Sequence, residues 1–117
     1  MTEAQEQRAV VEYLEWLKVP FYHVANERNC SPQRGAMLKR LGVQSGVPDL
    51  CIPVPMGGYH ALYIEMKSKS GRPSINQRKW IKALRKYGNY AEVCYGADQA
   101  IELISQYMGG KLVTPAQ

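Results

Sequence analysis

The sequence predicts a small α/β sandwich, a mixed sheet flanked by helices and built as one domain. Three observations predict it. Segments with helical periodicity alternate with strand-like segments, in the order helix, strand, strand, strand, helix, strand, helix. The length of 117 residues suits one domain. A composition of 45% apolar and 21% charged residues is that of a folded chain rather than a disordered one.

From Thr2 to about Lys18, Val10, Val11, Leu14 and Leu17 recur at helical spacing, with Thr2 as N-cap and Pro20 as the stop. Phe21 to Ala25 is a short strand candidate. The stretch from Asn26 to Ser45 is polar and basic, with a short helix around Ala36 to Leu41 that Gly42 ends. Asp49 to Val54 reads as a strand with Pro53 near its end. Met56-Gly57-Gly58 is a turn, and His60 to Met66 returns as a second strand, completing a hairpin. After a Gly/Ser loop, Ser74 caps a helix that runs to about Tyr87 and stops at Gly88-Asn89. In that helix Trp80, Ile81, Leu84 and Tyr87 form the apolar face. Tyr90 to Tyr95 is a strand and Asp98 to Met108 the last helix. The domain is thus expected over 1–108, with 109–117 a flexible tail.

Composition excludes several classes. No apolar run approaches the ~20 residues that a membrane span needs. The first ten residues, MTEAQEQRAV, resemble neither a signal nor a transit peptide. Cys30, Cys51 and Cys94 are odd in number and form no CxxC, so a disulfide framework is not expected and a reducing, cytosolic setting is. His23 and His60, the two histidines, have no zinc-ligand spacing with them. A small-molecule hydrolase finds no nucleophile elbow, no cysteine–histidine pairing and no phosphate-binding glycine loop.

Charge is more informative. Fifteen Lys and Arg against ten Asp and Glu give a net charge of +5. Eight of the basic residues lie between Lys67 and Lys86, a stretch without an acid. Such a run is often only a solvated face, but this one adjoins two suggestive acids.

Those acids are Asp49, in Gly46-Val47-Pro48-Asp49, and Glu65, sixteen residues later in Glu65-Met66-Lys67. Asp49 opens one hairpin strand and Glu65 closes the other, so two carboxylates and an ammonium converge at one sheet end. Alternation puts Glu65 and Lys67 on one face and Met66 on the other. Paired carboxylate oxygens suit Mg²⁺ or Mn²⁺, and a lysine beside them can orient the attacking water or stabilise charge on a phosphate. Glu65 and Lys67 taken alone would equally make an ordinary surface charge pair. The Pro-Asp on the neighbouring strand and the basic helix that follows favour the site.

Here the sequence resembles the virus-type replication-repair nuclease (VRR-NUC) branch of the PD-(D/E)xK nucleases. The resemblance rests on GVPDL at 46–50, IEMK at 64–67, GRPSINQ at 71–77 and RKWIKALRKYGNYAEVCY after it, with Glu3 and Gln7 and HVANE at 23–27 also in the family's pattern. It implies a restriction-endonuclease-like core and a divalent-metal-dependent DNA nuclease acting in repair. Asp49 and Glu65 would be metal ligands, Lys67 the catalytic lysine, and the Met66 main-chain carbonyl a further metal contact.

Three more sets of residues are candidates. Gln77 lies on the apolar face of its helix, where a polar group needs a partner; that partner is either the carboxylate cluster or a backbone carbonyl at the helix start. Glu3 shares a helical face with Gln7 and could complete the acidic cluster through a metal-bound water, with Glu6 competing, or it is simply a solvated first-turn acid. Arg78, Lys82, Arg85 and Lys86 on the outward side of one helix, Lys69 and Arg72 in the loop before it, and Arg28, Arg34, Lys39 and Arg40 can contact phosphates without reading sequence.

The expected function is therefore a metal-dependent, structure-selective DNA endonuclease for branched DNA such as four-way junctions or flaps. A homodimer is expected, because a junction presents two symmetric strands. Tyr13, Trp16, Tyr59, Leu62 and Met108 are interface or core candidates. The alternative is a non-catalytic nucleic-acid-binding domain that keeps the fold. Clustered acids facing phosphates favour the enzyme, since they repel DNA unless a cation lies between.

Overall fold

A computed structural model describes residues 1–25 and 30–114. Arg28 and the Asn26-Glu27 part of the 23–27 segment lie outside the described residues. Helix α1 (Glu3–Leu17), strand β1 (Tyr22–His23), helix α2 (Pro32–Arg40) and strand β2 (Leu50–Ile52) are followed by β3 (Leu62–Lys67), α3 (Ile75–Lys86), β4 (Tyr90–Tyr95) and α4 (Ala97–Met108). The strands form one mixed sheet in the order β1-β2-β3-β4. The first two pairings are antiparallel and β3–β4 is parallel, with α3 as the crossover.

Local chemistry explains most of the boundaries. Thr2 and Ser74 each head a capping box completed by a glutamine three residues on, Gln5 and Gln77. The sharp turn at Gly57-Gly58, both at positive φ, is closed by the Met56–Tyr59 bridge. Helix α2 starts four residues before the expected Ala36, because Ser31 caps it and Pro32 sits at its first position. Strand β4 keeps its expected bounds and β3 runs from Leu62 to Lys67 rather than over 60–66, while β1 and β2 are shorter than expected, with two and three residues.

The sheet has two unlike faces. On one, Leu50, Ile52, Leu62, Ile64 and Met66 meet Val10 and Leu14 of α1 and Ala100, Ile104 and Tyr107 of α4 in a dry core. Burying each such side chain contributes roughly 1.5–3 kcal/mol. Leu62 is fully buried there and Tyr13, Tyr59 and Met108 pack against the core, which leaves Trp16, 75% exposed and stacked on Tyr13, as the exposed member of those five candidates. On the other face lie Tyr63, Glu65 and Lys67, with α3 across the β3–β4 half.

Two expectations need revision. Tyr87 does not join the apolar face of α3; it is 70% exposed beneath the Lys86 ammonium. The stretch 109–114, expected to belong to a flexible tail, runs back to the hairpin turn. There the Thr114 N–H donates to Gly57 O, and Leu112 packs on the core.

Candidate active site

The hairpin register builds the site. Leu50 pairs with Ile64, and one further step sets Asp49 opposite Glu65, at the sheet end where β3 runs on to Lys67. Both acids are buried, Glu65 with 1% of its surface exposed. Burying a carboxylate is costly unless its oxygens are engaged.

Asp49 is held from three directions. The Met66 N–H donates to its Oδ2 at 2.9 Å, while its carbonyl accepts from the Val24 N–H at 2.8 Å and from His23 Nδ1 at 2.8 Å. A carbonyl only accepts, so His23 carries its proton on Nδ1. The Gln7 carboxamide lies 3.1 Å from that same nitrogen and suits it when its oxygen is the atom presented. A β1 residue thus clamps the backbone of the acid that opens β2.

Glu65 is held from one side only. Gln77 Nε2 donates to its Oε2 at 3.1 Å, and Lys67 Nζ stands 3.8 Å from the same oxygen. Oε1 is buried without a hydrogen-bond partner among the described residues. The Glu65 carboxyl is pushed up to about 8, first by burial, then by the charge of Asp49 and hydrogen bonding with that carboxylate; Lys67 pulls it back, and Glu3 adds the smallest upward push. Burial beside a second carboxylate therefore favours the protonated form of Glu65, a cost that a cation between the two acids would relieve.

The donor set fits a divalent metal ion on that ground: two converging carboxylates, one with an orphaned buried oxygen. Asp49 and Glu65 are the side chains that would hold it. The Met66 side chain points into the core on the opposite face, which leaves only its main chain on the site's side. Among the described residues no three Asp, Glu, His or Cys side chains form a metal-holding group. Glu3 is exposed in the first turn of α1 and reaches Glu65 through space.

Glu6, the other first-turn candidate, has a different task. Its carboxylate accepts the Ala97 N–H and so caps α4, whose N-cap Gly96 brings no side chain. Gln7 is engaged with His23. Of the first-turn set, Glu3 stays exposed and acts on Glu65 through its charge.

Gln77 makes both of the contacts that its position allows. Its Oε1 accepts from Ser74 N at 2.8 Å to close the capping box, and its Nε2 reaches Glu65. The basic residues Lys69, Arg72, Arg78, Lys82, Arg34, Lys39 and Arg40 are exposed. Arg85 is exposed as well, but its Nε donates to Ala91 O at 2.9 Å, tying α3 to β4.

Sequence reasoning missed His23 and the capping role of Glu6. No spacing rule connects His23 with a carbonyl 26 residues away, or Glu6 with an amide 91 residues away.

Comparison with known proteins follows the same lines. The family model for the VRR-NUC domain matches residues 1–98. A solved structure of a VRR_NUC domain protein is 30% identical with a TM-score of 0.83, covering 94% of this chain and 90% of that one. Another, a VRR_NUC domain, is 24% identical with a TM-score of 0.63, covering 90% and 96%, and shares the fold. No curated protein matches. With its two acids opposed across the hairpin, its lysine beside them and this family match over most of its length, the chain belongs to the VRR-NUC family of nuclease domains.

Proposed function

We propose that the chain is a divalent-metal-dependent endonuclease that hydrolyses phosphodiester bonds in branched DNA, four-way junctions or flaps. The observation that carries the reading is Glu65: a buried carboxylate beside a second one, with one oxygen unpartnered and an ammonium on the other. An acid pair this costly to bury serves a cation better than it serves the fold.

Asp49 and Glu65 would hold Mg²⁺ or Mn²⁺, with the Met66 carbonyl beside them and Glu3 reaching it through water. Bound there, the ion would polarise the scissile phosphate and lower the pKa of an attacking water. Lys67 places a positive charge where negative charge develops on the phosphate. Gln77 keeps Glu65 oriented, and His23 keeps Asp49 in register. Lys69, Arg72, Arg78, Lys82 and Arg85 around α3, with Arg34, Lys39 and Arg40 on α2, supply phosphate contacts independent of sequence. Two copies would give a junction two sites, and the exposed Trp16, stacked on the half-buried Tyr13, supports that assembly.

Labelled four-way junctions, flaps, forks and plain duplexes, incubated with Mg²⁺, with Mn²⁺ or with EDTA, test the reading. Cleavage is expected on the branched substrates alone, only with metal, and is abolished by Asp49→Ala or Glu65→Ala while the fold is kept. Cleavage in EDTA, or by either variant, overturns it. Light scattering that finds a monomer removes the dimer.

A further inference from the structure

A cavity of about 730 Å³ lies between α2 and the first turns of α3, clear of the acid pair. Its lining includes Lys39, Val43, Ser45, Asn76, Lys79 and Trp80, and among the described residues its charged members are the two lysines. The volume is in the range of about 300–1,000 Å³ over which proteins hold ligands.

The groove lies next to the site along the chain. Asn76 directly precedes Gln77, the residue on Glu65, and Asn76 Nδ2 donates to Ser45 Oγ at 3.3 Å. Gly46, at φ +92, presses against that turn so closely that a Cβ there would lie 2.5 Å from the Asn76 carbonyl carbon. From Gly46 the chain reaches Asp49 in three residues. The groove and the acid pair are thus joined through two short segments, at Asn76-Gln77 and from Gly46 to Asp49.

Two features choose the occupant. Lys39 and Lys79, both exposed, offer an anion two point charges. Trp80, half-buried in the wall, offers an aromatic platform. A duplex hides its base faces in its own stack, so only an unpaired base can use such a platform. We infer that this groove binds an unpaired DNA strand leading to the scissile phosphate, with a base stacked on Trp80 and phosphates on Lys39 and Lys79. The inference deepens the proposed function and rests on it for the identity of the ligand.

The chain has two tryptophans, Trp16 and Trp80, so Trp16→Phe leaves Trp80 as sole reporter. Fluorescence titration of this variant in EDTA, with oligo-dT and with a blunt duplex of equal length, removes cleavage from the measurement. Saturable quenching by oligo-dT is expected, with little by the duplex. Trp80→Ala should weaken oligo-dT binding about tenfold, within the range that one base–aromatic stack contributes, and leave duplex binding unchanged. Trp80→Phe should retain most of the affinity and decides the matter where the alanine variant does not fold. Equal quenching by both DNAs, silence of Trp80 on a bound strand, or unchanged affinity of the folded Trp80 variants overturns the proposal. Quenching by oligo-dT in a protein that cuts nothing when Mg²⁺ is restored overturns the nuclease reading instead.

Discussion

Gln77 joins a helix cap to a buried carboxylate: its Oε1 accepts the Ser74 N–H at 2.8 Å, and its Nε2 donates to Glu65 Oε2 at 3.1 Å. The residue that starts α3 thus also orients the acid on β3. Gln77→Ala would leave Ser74 N without its acceptor and Glu65 without its one amide donor. A loss of about 1–3 kcal/mol is expected, the usual cost of stranding a buried polar group. Urea denaturation measures it, and cleavage assays should show activity falling with it.

Glu65 makes the stability of the metal-free protein depend on pH. Its carboxyl lies near 8 in the fold against an ordinary 4.5, so between these values the native state holds a proton that the unfolded chain has released. The contribution of Glu65 is therefore greatest below pH 4.5, is lost as pH rises from there through about 8, and is level above that. The slope is at most about 1.4 kcal/mol per pH unit. Glu65→Gln keeps the shape, removes the charge and should flatten this slope. Denaturation of both proteins in EDTA across pH 5 to 9 checks the difference.

Lys67 stands 3.8 Å from Glu65 Oε2 with its side chain only 11% exposed, out of the way of a general phosphate contact. Lys67→Ala should lower the cleavage rate by about 10²-fold or more, as for loss of one preorganised transition-state contact, and change DNA affinity little. Single-turnover rates beside binding isotherms separate the two. A variant that loses affinity and keeps its maximal rate would contradict the role.

Lys82 and Arg85 are neighbours on α3 with different attachments. Lys82→Ala should weaken binding on all sequences alike and reduce the salt dependence by about one counterion. Arg85→Ala should do this and also cost about 1 kcal/mol of stability, because its Nε–H on Ala91 O pins α3 to β4. Salt titrations of DNA binding and thermal melts of both variants distinguish them.

The sequence by itself determined what neighbouring residues settle among themselves. Thr2 and Ser74 announce their helices because a cap is satisfied within four residues. Gly57-Gly58 announces the hairpin, which brings the Asp49 and Glu65 ends of its strands side by side, but the Leu50–Ile64 register is offset by one residue from the Met56–Tyr59 bridge and was set by the packed sheet. Even the missed start of α2 was written in Ser31-Pro32. The tertiary structure alone decided which polar groups meet across the chain. Glu6 and Glu3 look alike in the first turn of α1, yet one caps α4 through Ala97 and the other stays exposed and acts on Glu65 through its charge. His23 finds the Asp49 carbonyl because β1 pairs with β2, and Tyr87, at the C-cap of α3, stays in solvent. Helical periodicity says which side of a helix is apolar. Only packing says what that side meets, because burial and hydrogen-bond partners depend on segments that local sequence does not contain.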